Sequence, residues 1–462
     1  MVRFLAASAA VAAVSATAAV PGVDSPAGCP SGTVFALSNG SDTNDGCSAA
    51  TAVQSLSVAQ EISRATAASH PSTQVFVSSS RVRGEGITFG SNDTAISWTG
   101  ISLDGESPAT ISGSILLPPL STWQNVTDPD TLARIRDTTA RSVVRKLPLD
   151  GLATADEVGR LTRHGYAVGA APPPMELFYN GEKLQRSRWP KPGDPLVAMS
   201  TVQNGNSSAP MFSLNTTRPF EWPASALDDD GIWLEGIVSE NWAWTYNHAI
   251  PLANGSMTLQ YPEQYEVQIF AYNYCCHNRF FFDNVFEEIS QPGEYYINTT
   301  EQAIYIIPPT DSTNERDMEA GDSQLTASVL STPVFSFQPD AVGVKLANVS
   351  ITETRGTAID ANEAIAIELR NLEIHNIGLA GATVGRASNL VDSHIYNVGT
   401  EAVSVSGGNV TSLQSGDSRI ANVHIHDFAQ WNKVYEAGVS ISGVGNTGAH
   451  QHCQHVVDAH AT

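Results

Sequence analysis

The chain has 462 residues, of which 15% are charged, and its 47 Asp and Glu outweigh 24 Lys and Arg to give a formal net charge of −23. That balance excludes nucleic acid and an anionic membrane surface as partners, because both would be repelled, and it makes a neutral substrate more natural than a polyanionic one. The length allows two or three domains, and sparse charge among abundant Gly, Ser, Thr and Asn suits a β-rich secreted protein better than a helical one.

Residues 1–19 read as a secretory signal peptide: Arg3 supplies the positive end, residues 4–14 an apolar run too short to span a bilayer, and small residues at 16–19 a cleavage site. No later stretch is long and apolar enough to cross a membrane, so an extracellular, secreted protein is expected. Nine Asn-x-Ser/Thr sequons, at Asn39, Asn92, Asn125, Asn206, Asn215, Asn254, Asn298, Asn348 and Asn409, predict a glycoprotein. The five cysteines are an odd number. Cys29 and Cys47 bracket a short loop and are the expected disulfide, the adjacent Cys275 and Cys276 cannot easily bridge each other, and Cys453 lies in the terminal run.

Residues 20–115 are expected to hold an N-terminal cap and the first coils of a solenoid. A strand at 34–37 runs into the turn cluster of residues 38–46, and Leu56, Val58, Ala59, Ile62 and Ala65 are apolar at helical spacing, predicting a short amphipathic helix over about 54–67. Such a helix would cover the raw apolar end of a repeat structure. Between 116 and 310 the pattern changes to aromatic-rich segments. Asn180-Gly181 is a hairpin signal, and residues 293–297 with 303–307 read as a second hairpin. An inserted antiparallel β module is predicted there, with Trp189, Trp233, Trp242 and Trp244 more naturally its core than a sugar platform.

Residues 311–446 repeat. Asn348, Asn371, Asp392 and Asn422 each stand three residues before an Ile, and Ile351, Ile374, Ile395 and Ile425 are spaced by 23, 21 and 30 residues, the long gap holding a polar loop at 408–417. Asn376, Asn397 and Asp427 follow the last three of these Ile residues by two positions. Gly-Thr corners and Val-Ser-Val strands ride on the same period. Alternating strands and Asn/Gly corners at a period of twenty-odd residues predict a parallel β-helix, in which each turn stacks on the last. The Asn and Asp series is read as corner residues that tolerate left-handed angles.

The turn cluster at 38–46 with the helix from Leu56 resembles the entry of secreted right-handed parallel β-helix proteins of the pectate-lyase-like superfamily. Residues 176–181 leading to Arg188-Trp189-Pro190, and 292–297 leading to Pro308-Pro309, are similar to the subgroup of β-helix glycoside hydrolases with fucosidase and xylanase members; Ser406-Gly407-Gly408 and residues 443–446 fit the same pattern. The resemblance implies an all-β fold, a right-handed parallel β-helix with the inserted module and capping helix, and a monomer acting on a polysaccharide or oligosaccharide. It also implies further coils and an Asp-x-Gly-Ala type motif beyond Asn446. Instead 447–462 holds a His- and Cys-rich run, which is expected to be irregular and to reflect a truncated or aberrant C-terminus.

Stacked coils bring carboxylates of neighbouring turns within the reach that paired-carboxylate glycosidases need. The catalytic candidates are Glu401, Glu436, Asp392, Asp427 and Asp417. Asp392 and Asp427 sit where other repeats have Asn, whereas Glu401 and Glu436 precede matching strands on adjacent coils and break the pattern without evident structural need. His394 and His424 share one register and, with Trp431, are the substrate-binding candidates; as polar ladder residues the two His also have a plain solvent-face reading. No metal or other cofactor is expected. A polysaccharide lyase would instead require Ca2+ held by Asp residues and a Lys or Arg base, for which Arg355, Arg370, Arg386 and Arg419 form no evident site. A noncatalytic carbohydrate-binding protein is the remaining reading, and the sequence does not name the sugar.

Overall fold

The computed structural model describes residues 28–103, 105, 108–227, 230–269, 279–309 and 324–454. The expected signal peptide, Cys275 and Cys276 lie outside them. The protein is mostly β, and its largest unit is a stack of coils linked by parallel pairing. One row of strands runs Thr33–Ala36, Gln74–Val77, Ser97–Gly100, Lys345–Ala347, Glu368–Arg370, Asn389–Val398, Arg419–His426 and Thr447–Gln454. Beside it, Ser80–Arg81, Ala109–Ser112, Val349–Thr354 and Glu373–Ile377 stack and join the long strand Asn389–Val398. A second sheet of six parallel strands begins at Ile87–Phe89 and Phe335–Phe337 and ends at Val403–Gly407 and Val439–Gly443.

The repeat builds this stack because each coil presents the same side chain at the same height. Ile351, Ile374, Ile395 and Ile425 are in register and wholly buried, so every Ile has a like neighbour above and below. The helix Leu56–Ala67 buries Leu56, Ala59 and Ile62 against Val34, Ala36 and Val53 at the first coil. The disulfide Cys29–Cys47 fastens that end, with Cα atoms 5.1 Å apart.

Within the third coil the chain departs through Ser114–Leu116 and returns through Leu325–Ser328, two strands that pair antiparallel. The intervening residues form antiparallel sheets with their own aromatic core around Phe212, Phe280, Phe282 and Trp222. Asn180 and Gly181 turn a hairpin with φ of 51° and 82°, and Glu294–Asn298 pairs with Ala303–Ile306 as the second. Trp233 is buried, whereas Trp242 is half exposed at 50%.

Residues 447–454, expected to be irregular, are a strand in register with Arg419–His426. Local composition argues against a strand there, but the preceding coil offers a row of backbone donors and acceptors that demands partners, and the ring of His452 stacks 4.9 Å from His424.

Candidate functional site

Side chains that alternate with the buried Ile residues form two rows on the outer face of the long sheet. One row is Ser350, Glu373, His394 and His424; the other is Thr352, His375, Tyr396 and His426. The corners flanking these strands are left-handed: Asn348, Asn371, Asp392 and Asn422 on one side, Glu353, Asn376, Asn397 and Asp427 on the other, all with φ between 50° and 61°. Their side chains bond from coil to coil, Asn371 Nδ2 donating to Asn348 Oδ1 at 2.9 Å and Asn422 Nδ2 to Asp392 Oδ1 at 2.9 Å. The corner reading of this series therefore describes the molecule.

The inserted module leans over the same face and encloses a groove of about 1060 Å3, lined among others by Ser112, Asn180, Thr326, Glu353, Glu373 and His375. Glu353 is 7% exposed. Its Oε2 accepts from Ser114 Oγ at 2.5 Å and Ser112 Oγ at 3.3 Å, with Arg81 Nη1 3.9 Å away. Glu373 accepts from the Tyr396 hydroxyl at 3.2 Å. His375 lies within 3.4 Å of the Ser350 and Thr352 hydroxyls and stacks 4.9 Å from Tyr396. Burial pushes its imidazole below the ordinary value, against the opposing pull of Glu373, Glu353 and Glu182; burial and Glu373 push the Tyr396 phenol up to about 12. The groove thus offers two carboxylates, hydroxyls and an amide without a strong apolar patch, a lining suited to a hydroxyl-rich ligand.

Glu353 and Glu373 are not among the sequence candidates, yet one signal for Glu353 is present. Three repeats place Asn or Asp two residues after the Ile, whereas the first places Glu353 there. An L residue other than Asn, Asp or Gly in a left-handed corner costs about 1–2 kcal/mol, so the departure at Glu353 marks a position held for another reason.

Asn376 Nδ2 donates to Gly181 O at 2.8 Å, where the module hairpin touches the sheet. Beyond that contact lies a second cleft of about 400 Å3, lined by Arg186, Asp283, Tyr295, Trp431 and Lys433 among others. Asp283 accepts from Arg186 Nη1 at 2.6 Å and from the Tyr246 hydroxyl at 2.7 Å, so its charge is paired. Trp431 is 8% exposed, packs 4.0 Å from His164 and donates its indole N–H to Ala171 O at 3.0 Å, so only part of the ring reaches the cleft.

The remaining sequence candidates fall into two groups. Glu401 and Glu436 come together just before the last two strands of the second sheet, where Ala402 N donates to Ala437 O at 3.1 Å. Burial raises both carboxyls above the ordinary range, and the Glu401 charge raises Glu436 further; Glu436 accepts from Asn432 Nδ2 at 2.5 Å. Asp392, Asp427 and Asp417 are corner residues. Asp392 pairs with Arg370 at 3.1 Å, Asp427 holds His426 Nδ1 at 2.7 Å and Asp417 accepts from the Ser415 hydroxyl. Arg355 is buried and spends its guanidinium on the carbonyls of Pro173, Asp156 and Glu157. None of the nine sequon Asn residues is buried.

No protein-family model and no curated protein matches the chain. Among solved structures, a glycoside hydrolase superposes with a TM-score of 0.61 over 89% of this chain and 80% of that one, at 11% identity. The likeness is one of fold. The xylose complex of XylC is similar at a TM-score of 0.45 and 10% identity, over 91% of this chain and 58% of that one.

Proposed function

We propose that the chain is a secreted carbohydrate-active protein of right-handed parallel β-helix fold, a glycoside hydrolase that cleaves cell-wall polysaccharide in the 1060 Å3 groove with Glu353 and Glu373 as its two carboxylates. The observation that carries the reading is Glu353, a buried carboxylate in a left-handed corner aimed at a polar groove walled by both units. The Ser114 and Ser112 hydroxyls donate to its Oε2 with Arg81 3.9 Å away, contacts that fix the carboxylate in place for the part of nucleophile or base. The proton for the leaving group then falls to Glu373, with the Tyr396 hydroxyl fixing the orientation of that carboxyl. The fold shared with a glycoside hydrolase agrees with this.

The test is release of reducing ends from a panel of neutral and acidic wall polysaccharides. Glu353→Gln and Glu373→Gln should each lower the rate by about 100-fold or more; full activity in both would overturn the assignment. A second reading is favoured by the pairing of Glu401 and Glu436 on adjacent coils with both carboxyls raised by burial, because a carboxyl raised above its ordinary range is better suited to protonate a leaving group. Loss of activity in Glu436→Gln, with Glu353→Gln unaffected, would move the chemistry there. Absorbance from unsaturated products would instead identify a lyase, whose Arg355 candidate is already engaged.

A further inference from the structure

Beyond Glu373 the outer face carries a group of imidazoles. His394 and His424 are register partners on adjacent coils with rings 4.7 Å apart, and His426, two residues along, lies 5.0 Å from both. One ring nitrogen from each comes within 4.8 Å of the others. We propose that His394, His424 and His426 form a binding site for a borderline divalent transition ion of the Zn2+ or Cu2+ class, with an open fourth position toward solvent.

The hydrogen bonds specify how the site is set up. His426 Nδ1 lies 2.7 Å from Asp427 Oδ2, and that carboxylate can only accept, so the proton sits on Nδ1 and leaves Nε2 with its lone pair exposed. His394 Nε2 is 2.8 Å from His426 Nε2. Two such nitrogens approach this closely only with a proton between them, and with both rings neutral that proton is carried by His394. A cation takes the proton's place: the His394 proton shifts from Nε2 to Nδ1, and two lone pairs then converge on one point. At about 2.0–2.1 Å per metal–nitrogen bond, tetrahedral ligands stand about 3.3 Å apart, so the pair opens by about half an ångström. His424, stacked nearly parallel to His394 at 9°, tilts to supply the third bond.

Ligand type decides the class of ion. Imidazole nitrogen suits Zn2+, Cu2+ and Ni2+, whereas Ca2+ and Mg2+ require oxygen ligands that this trio lacks. Asp427 plays the part that a carboxylate behind a metal-bound imidazole commonly plays, fixing tautomer and ring angle. The surroundings favour a cation, since the chain carries a net charge of −23. His394 and His424 also line a shallow depression of about 610 Å3 with Ser350 and Glu373, so the open position faces the same side as the groove. The inference does not depend on the hydrolase reading.

Untagged full-length protein, cleared of metal by a chelator and titrated with Zn2+ and Cu2+ by calorimetry, should bind one ion with a Kd of about 1 µM or tighter. Titration with Co2+ should produce the visible absorption of a tetrahedral nitrogen site. His426→Ala and His394→Ala should weaken binding by about 100-fold or more, Asp427→Asn, which keeps the corner residue type, by about 10- to 100-fold, and His375→Ala should leave it unchanged. Circular dichroism of each variant reports folding. Absence of one-to-one binding, or binding untouched by Asp427→Asn and His394→Ala, would overturn the site.

Discussion

Glu353 occupies a corner that other coils fill with Asn or Asp, and its carboxylate gathers the hydroxyls of Ser112 and Ser114 from the adjacent coil and the strand that leaves it. Glu353→Asn relieves a left-handed glutamate while giving up hydrogen bonds to a charged acceptor, two effects of similar size. Melting should therefore shift by no more than about 1 kcal/mol while hydrolysis falls by about 100-fold or more; a collapse of the melt would make the residue structural. A second expectation concerns pH. Folding raises the carboxyls of Glu401 and Glu436 above the ordinary 4.5, so the folded state binds their protons more tightly than the unfolded one. Their contribution favours folding below about pH 4.5 and is lost as pH rises through the raised folded values. Melting points of Glu436→Gln should exceed those of the parent near pH 7 and converge with them near pH 4. Glu157 slopes the other way. Arg83, donating at 2.5 and 2.8 Å, pulls it down to about 2, and that stabilisation is lost as pH falls from 4.5 toward 2.

Among the elements, the column of Ile351, Ile374, Ile395 and Ile425 is the clearest case of sequence dictating register. A shift of one residue in any coil would send its Ile to the solvent face. Ile395→Ala should cost about 2–5 kcal/mol in denaturant melts, because neighbours above and below prevent the cavity from closing, whereas Ile441→Ala, at 47% exposure, should stay within about 0.5 kcal/mol. Periodicity also made the shared register of His394 and His424 legible, as well as the adjacency of Glu401 and Glu436. What it could not supply was the strand Thr447–Gln454, since neither Gly448 nor Ala449 carries a β signal and the pairing is imposed by the coil beneath. Gly399 shows the same dependence on a neighbouring coil: a Cβ there would lie 1.8 Å from Gly378 O, a clash visible only once the two turns are stacked.

At the scale of the whole molecule, the inserted antiparallel unit could be read from its change of composition and its hairpin signals, but the groove could not. Its walls come from segments whose proximity no local pattern encodes; Ser112 and Glu353 are 241 residues apart. The disulfide was legible because Cys29 and Cys47 are only 18 residues apart. Cross-linking a loop of that size is worth about 3 kcal/mol, so reductant should lower the melting temperature of the parent and leave a Cys29→Ala/Cys47→Ala variant unmoved.

The return of the chain to its third coil also orders events in time. Strand Ser97–Gly100 finds its next partner in Lys345–Ala347, on the far side of the entire insertion. Ribosomes add about 5–20 residues per second, so during synthesis the N-terminal coils stand for about ten seconds or more with a bare strand edge. Coils after Val349 need only neighbours made moments earlier. The waiting edge is therefore the point at which a nascent chain is most open to pairing with another copy of itself.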